Sequence, residues 1–542
     1  MGGVQKAFKT EKLDKGLLWF SVLAGSILRF YRLGSQSIWG DEALTLLKYA
    51  SGDNLAQMLE RVWQNAFHPP FYFMIVHYWF KLGQSELMLR LPSAVFGILS
   101  IPLMYQLARR LFGIPIAGIA ACVMALSPFH IWYSQEARMY SLQILLVLGA
   151  MLFFLRAWES NRLVDYVIYG LLTVLALFTH VASVLMLFAQ FAFIVGASIR
   201  LRRKLAAWAV VQIAIVLVFL PWVVRFLSGQ SMSSGLSRIG FERNMNLFQL
   251  GYGLYTFSVG FSLGPSVSQL HYLDATKAIM PHLTAILIAI LAFGCLSILG
   301  LIETWRANRT GFWFVSSHLV FPIAIAGTAS LLPAIALNAR YLILASLPYW
   351  ILLASGIRLS SRLRYFLFLP VLAVGVVAFS LANHYCAAAY AKQDMRSAVG
   401  LVNRLVKPDD IIIISSVELG GPFIYYYRGT APYIGYPPGV GYTDPKQLPL
   451  DMDKAVRNHQ RVWLVLGRTW SSDPHGLISE YFRARYRRII NRQFSGVTVS
   501  CFQVLASPRR TSTEQVEGFR PQAEGHLPKT NVRTTPENTS GF

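Results

Sequence analysis

The sequence predicts a polytopic α-helical membrane protein of about 11 transmembrane helices, closed by a small C-terminal extracytoplasmic α/β domain. Three observations carry this. Apolar runs of about 20 residues recur from the N-terminus to position 383, each long enough to cross roughly 30 Å of hydrocarbon. The chain of 542 residues is 54% hydrophobic and only 14% charged, where a soluble domain has about 25% charged residues. Its 49 basic residues against 26 acidic ones give a formal charge of +23. The basic residues cluster in short loops between the apolar runs, the positive-inside pattern that orients a membrane chain. That distribution points to a membrane and argues against nucleic acid as a partner.

Taken in order, residues 1–15 hold four lysines and set the N-terminus in the cytoplasm. No small-residue cleavage site follows the first apolar run, which reads as a retained span at about 16–33. Residues 34–88 form a long first external loop. Within it Ala43, Leu46, Leu47 and Ala50 recur at helical spacing, as do Leu55, Met58, Leu59 and Val62. These predict two short amphipathic helices on the membrane surface. The apolar run 71–82 carries His77 and is too short to span. Spans 2 to 6 follow at about 89–108, 114–132, 139–158, 164–179 and 181–199. Span 7 (205–226) leads into a long external loop rich in Gly, Ser and Tyr, 227–280, which would act as a lid over the site. Spans 8 to 11 lie at 281–302, 312–332, from Asn338 to Arg358, and 365–383. With 71–82 left outside the count, the basic clusters Arg109-Arg110, Arg200–Lys204 and Arg358–Arg364 all fall on one side.

Residues 1–387 thus form a transmembrane domain. Residues 388–507 differ in kind: Ile411–Ile414 and Val462–Leu466 read as buried strands, with helical patterns at 394–406 and 451–459 between and before them. Strands alternating with helices predict a small α/β domain outside the cytoplasm. Residues 508–542 are polar, rich in Thr, Pro and Glu, and read as disordered. Four cysteines show no metal spacing. Cys386 and Cys501 bracket the exported domain, and their pairing is left open by the sequence.

The candidate chemistry lies at span ends on the outer face. Asp41 and Glu42 surface just past span 1. Asp41 is a good helix N-cap, but its place at the lipid–water boundary also suits a general base, because apolar surroundings raise a carboxylate's proton affinity. Glu136 follows span 3 as a second acid. Arg138 beside it and Arg340 at the start of span 10 break the charge bias of short external loops. Each would serve as a headgroup anchor or, together, as a clamp on phosphate through the planar guanidinium fork. His68 precedes Pro69-Pro70 as a turn residue or a ligand contact. His180 ends span 5, where a polar side chain would line a cavity. No cofactor is required by the sequence. A divalent metal on His180 and an acid is compatible with it, although zinc takes three or four ligands and no spacing motif supplies them. Tyr31, Trp39 and Trp132 read as an interfacial aromatic belt rather than substrate stackers.

In order along the chain stand Trp39-Gly40-Asp41-Glu42, His68-Pro69-Pro70, Leu89-Arg90-Leu91-Pro92-Ser93-Ala94, Ser134-Gln135-Glu136-Ala137-Arg138-Met139-Tyr140 and Ala339-Arg340-Tyr341-Leu342. This set resembles the GT-C superfamily of polyprenyl-phosphate-sugar-dependent glycosyltransferases. It is most similar to the bacterial family 39 and 83 enzymes related to protein O-mannosyltransferases and lipid A aminoarabinose transferases. The resemblance covers about residues 16–383. It implies an inverting glycosyltransferase in the inner (plasma) membrane, with a polyprenyl-phosphate sugar as donor and a lipid, glycan or protein as acceptor. It implies Asp41 as base or acceptor-binding acid, Glu136 as a second acid, and Arg138 and Arg340 at the lipid phosphate; Glu42, third of the candidate catalytic acids, would orient Asp41 or bind the sugar. His68, Tyr140, His180 and Tyr341 complete the candidate substrate contacts. The luminal β-trefoil domain of the mannosyltransferases is not recognisable here, which weakens protein as acceptor. The competing classes are a transporter or flippase of lipid-linked sugars, disfavoured because the charges sit at span ends, and a non-catalytic assembly protein.

Overall fold

A computed structural model describes residues 2–52, 54–196, 202–228, 247–329, 339–439 and 441–504. The expected tail at 508–542 and Asn338 lie outside the described residues. Each expected span coincides with a helix. Among the described residues, seven helices are long and apolar enough to cross a membrane, and a bent pair makes an eighth span. Gly2–Phe30, Leu163–Thr179 and Val184–Gly196 account for the other three expected spans. The molecule is a multi-pass membrane protein.

Span 3 departs from the expected straight helix. Ile114–Leu126 and Pro128–Ser134 meet at a bend of 57°. Pro128 has no N–H to continue the ladder, and Ser127 caps the new helix by accepting from the His130 N–H at 3.3 Å. The break leaves carbonyls near the end of the first segment without helical partners. Arg29 of span 1 fills them. Its guanidinium is fully buried and donates to Gly25, Ala125 and Met124 carbonyls at 2.9, 3.0 and 3.3 Å. A buried cation is thus held on the negative end of a helix.

The helices Leu283–Ala307 and Ser346–Arg362 cross with their backbones in contact. A Cβ added at Gly300 would lie 2.1 Å from the Leu352 carbonyl oxygen, and one at Gly356 would lie 1.9 Å from that of Leu296. Without a hydrophobic drive between helices in lipid, such small residues let dispersion hold the bundle.

In the segment expected as the first external loop the two short helices are present with one change. The first is a single α-turn, Gly40–Ala43, continued by a π-helical stretch, Leu44–Tyr49. The second, Leu55–Asn65, starts where Asn54 accepts from the Gln57 N–H at 3.0 Å. Both bury the expected apolar stripe through Ala43, Leu46, Met58 and Val62. The run after His68-Pro69-Pro70 forms the helix Phe71–Phe80, 10 residues long and hence about 15 Å, too short to span. His77 within it is buried, with Nδ1 2.8 Å from the Ala50 carbonyl, so the helix braces the first loop.

The segment 227–280 is not an open loop where it is described. Leu247–Val259 is a helix with Phe257 and Val259 buried. Gly251, Tyr252 and Tyr255 on this helix line the large cavity described below; residues 229–246 lie outside the described part.

The C-terminal unit is a five-stranded sheet in the order β2-β1-β3-β5-β4. β1 (Ile411–Ser415), β2 (Tyr433–Tyr436) and β3 (Arg461–Gly467) run parallel. β5 (Val497–Gln503) pairs antiparallel with both β3 and β4 (Arg487–Phe494). The all-apolar run Ile411–Ile414 is explained by burial on both faces. Ile412 and Ile414 pack under the helices Met395–Leu405 and Val417–Tyr426. Ile411 and Ile413 pack under Leu448–Val456 and Leu477–Arg485. Cys501 is buried in β5 opposite Trp463, whereas Cys386 is exposed at the end of the last span; both are free thiols.

The sheet unit is latched to the first loop. Tyr426 Oη accepts from the Ile38 N–H at 2.8 Å and donates to Glu86 at 2.7 Å. Arg396 donates to Glu86 and to the Gly34 carbonyl at 2.8 and 2.9 Å. A Cβ at Gly40 would come within 3.1 Å of the Glu418 carbonyl oxygen. The turn that carries Asp41 is therefore pressed between the bundle and the C-terminal domain.

Candidate active site

One cavity of about 3220 Å³ runs between the bundle and the C-terminal domain. Apolar side chains of the bundle, among them Ala289, Phe293, Leu319 and Leu352, line one part. Ser416, Arg468 and Ser472 of the C-terminal domain line another. Asp41, Glu136, Arg340, Trp39 and Trp132 face the same space.

Asp41 is the half-buried carboxylate of the set, its side chain 29% exposed toward the cavity. Arg340 donates to its Oδ2 at 2.9 Å, and Arg138 Nη2 lies 4.0 Å from the same oxygen. Arg138 is fixed from behind, donating to Thr45 Oγ1 at 2.8 Å and to the Asp41 carbonyl at 3.2 Å. Burial on its own would raise the Asp41 carboxyl, but the Arg138, Arg340 and Arg468 guanidiniums together outweigh it and hold the group below its usual range. The raised proton affinity expected from the interface is thus corrected: three cations win over desolvation.

Glu42, expected among the catalytic acids, turns away from the cavity. It is fully buried and forms a two-bond pair with Arg90, at 2.8 and 2.7 Å. It also accepts from the Ala137 N–H at 2.8 Å. Burial would raise its carboxyl, yet Arg90, Lys392 and these hydrogen bonds bring it down to about 2. Arg90 spends its remaining donors on the Leu33, Gln36 and Ser37 carbonyls at 3.1, 2.8 and 2.9 Å. The pair is the joint that ties the first loop to span 2 and to the Glu136 loop. This gives the Leu89–Ala94 motif a physical role.

Glu136 is buried and receives Lys392, with Nζ 3.1 Å from Oε1. Burial raises its carboxyl above the usual range and Lys392 opposes the rise. Lys392 was missed in the sequence. It lies in the linker after the last span, packed near the rings of Trp39 and Trp132 at 5.6 and 5.7 Å. The signal that marked Arg138 and Arg340, a cation just past a span on the outer side, applies to it equally. Trp39 and Trp132 are corrected from membrane belt to cavity wall, while Tyr31 remains exposed at the end of span 1.

His68, His180, Tyr140 and Tyr341 form one aromatic cluster. The two imidazoles are 4.3 Å apart, and His180 lies 5.7 Å from Tyr140 and 6.2 Å from Tyr341. Arg138 sits 6.0 Å from the Tyr140 ring and Arg340 5.4 Å from the Tyr341 ring. Burial, His180 and the two guanidiniums push the His68 imidazole well below its usual value, so it is neutral. His180 Nδ1 accepts from the Ala182 N–H at 3.1 Å, which puts its proton on Nε2. The cluster surrounds the arginines with neutral donors. Among the described residues no group of three or more His, Cys, Asp or Glu side chains converges to hold a metal; the carboxylates here are each matched by a cation instead.

A profile of the family "Dolichyl-phosphate-mannose-protein mannosyltransferase" matches residues 67–224, under a third of the chain. A curated relative, "Putative mannosyltransferase YycA" of Bacillus subtilis, is 23% identical over 257 residues, which are 45% of this chain. The match spans 36% of the length of that relative. Two solved structures share the fold over 90% of this chain, both at 14% identity. The oligosaccharyltransferase AglB of Archaeoglobus fulgidus, with an inhibitory peptide and a dolichol-phosphate, has a TM-score of 0.56 and is covered over 74%. ArnT of Cupriavidus metallidurans, bound to undecaprenyl phosphate, has a TM-score of 0.52 and is covered over 98%. The resemblance in the motifs therefore extends to the architecture: the chain has the fold of these membrane enzymes.

Proposed function

We propose that the protein is an inverting glycosyltransferase that moves a hexosyl or pentosyl unit from a polyprenyl-phosphate donor to an acceptor hydroxyl on the extracytoplasmic face. The observation that carries this is Asp41: a carboxylate open to the cavity and shared between two arginines that a phosphate would also engage. A polyprenyl donor keeps its tail in the bilayer, so its scissile bond lies at the interface, where these residues sit. The positive-inside charge pattern supports a cytoplasmic N-terminus and an external C-terminal domain. The bundle, 1–387, holds the donor, and the unit at 388–507 closes the cavity.

The pairing sets the order of events. An arriving phosphate competes with Asp41 for Arg340 and Arg138, which neutralise the charge that develops on the leaving phosphate. Asp41 loses its strongest partner at that moment, and its proton affinity rises. It then takes the proton of the acceptor hydroxyl as that oxygen attacks the anomeric carbon opposite the phosphate. The C–O bond to phosphate breaks, the polyprenyl phosphate leaves as an anion, and the configuration inverts. Glu136, held by Lys392, bounds the site on the other side. Glu42 acts on position only, through Arg90. Purified protein with radiolabelled polyprenyl-phosphate sugars and membrane extract tests the assignment. Transfer by wild type and its loss in Asp41→Asn is the expected result; transfer undiminished in the variant refutes the role of Asp41.

A further inference from the structure

The C-terminal domain contains a crevice at the point where its strand order reverses. From β1 the chain goes to β2 on one side and then to β3 on the other. In open α/β sheets ligands bind outside the carboxyl ends of the strands at such a switch point. Here the two strand ends are clamped together: Ser415 Oγ donates to the Gly467 carbonyl at 3.1 Å and accepts from its N–H at 2.9 Å. The next residue on each strand opens onto the cavity. Ser416 starts the helix Val417–Tyr426 with φ of 64°, and Arg468 has φ of 49°. Both conformations are uncommon for residues with a Cβ.

The lining is polar and unspent. Ser416 is 5% exposed and Ser472 is 2% exposed; each faces the cavity and neither Oγ has a hydrogen-bond partner. A buried hydroxyl left unmatched is costly and marks a place where a ligand would complete it. At the mouth Arg468 Nε and the half-exposed Glu418 Oε2 stand 2.5 Å apart. Hydroxyls, a guanidinium and a carboxylate side by side offer both donors and acceptors. A sugar diol also donates and accepts at each oxygen. Phosphate only accepts when fully ionised, and Glu418 repels it.

We infer that this switch-point crevice, built from Ser416, Ser472, Arg468 and Glu418, is a subsite for a carbohydrate acceptor. The inference rests on the transfer reaction proposed above and names its acceptor as a glycan or sugar headgroup. The crevice adjoins the base directly, because the helix begun by Ser416 packs on the turn of Asp41: a Cβ at Gly421 would meet Ala43 Cβ at 3.0 Å. Donor then enters along the apolar wall and acceptor along the polar one.

Saturation-transfer NMR on the detergent-purified full chain tests the subsite without relying on turnover. The probes are methyl hexopyranosides and short oligosaccharides, inorganic phosphate, and a Ser/Thr peptide. Saccharide signal is expected in wild type and in Asp41→Asn. It is expected to fall at least about fivefold in Ser416→Gly, which keeps the backbone conformation, and in Glu418→Gln, a partly exposed change that does not threaten the fold. Equal signal in these variants, no saccharide signal in wild type, or selective binding of phosphate or peptide overturns the proposal. The two proposals fail separately. Saccharide binding that depends on Ser416 without any sugar transfer overturns the reaction, and transfer with acceptor KM unmoved in Ser416→Gly overturns the subsite.

Discussion

Replacing Asp41 by Asn should separate binding from chemistry in opposite directions. Asp41 Oδ2 accepts from Arg340 at 2.9 Å and lies 4.0 Å from Arg138. An incoming polyprenyl phosphate must take those arginines from it. A hydrogen bond to a charged group contributes about 1.5–3 kcal/mol net, so removing the competing charge should tighten lipid-phosphate binding about tenfold to 150-fold at 1.36 kcal/mol per decade. The same change removes the base, which should lower kcat by about 10²–10⁴. The fold should survive, because Arg138 keeps its bonds to Thr45 and to the Asp41 main chain. Equilibrium binding of polyprenyl phosphate, measured beside single-turnover transfer, reads both effects. Binding that weakens, or binding unchanged with kcat unchanged, would refute the competition between phosphate and carboxylate.

Three further outcomes follow from the geometry. Glu42→Gln, which removes one charge of the fully buried pair with Arg90, should cost about 3–5 kcal/mol and show as lost thermal stability rather than as altered donor binding. Its pH signature has a definite sign. The folded Glu42 value of about 2 lies below 4.5, so its stabilisation is complete above about pH 4.5 and fades as pH falls toward 2, a dependence absent from Glu42→Gln in acid unfolding. Lys392→Met should move the acid limb of the rate profile to higher pH, because Glu136, already raised by burial, loses the cation that opposes the rise; an unmoved limb in the measured pH profile would separate Glu136 from the chemistry. Gly356→Ala would place a methyl group 1.9 Å from a backbone carbonyl, and the protein should fail to appear as a monodisperse species on size-exclusion chromatography.

The amino-acid order alone located the apolar helices, since hydropathy acts locally and additively along the chain. It also marked 71–82 as too short to span, and it singled out Asp41, Glu136, Arg138 and Arg340, which gather at one cavity. Local sequence gave the strands Ile411–Ile414 and Val462–Leu466 but not β2, β4 and β5, whose mixed patterns become strands through pairing. Tertiary structure decided what each charge does. Asp41 and Glu42 are adjacent carboxylates in sequence, yet a helical turn points one to the cavity and the other into the Arg90 pair. Lys392 reaches Glu136 across 256 residues, and no local pattern encodes that contact. The proton affinity of Asp41 is the clearest case: burial and three guanidiniums pull it in opposite directions, and only distances in space, which enter electrostatic energy directly, settle which prevails.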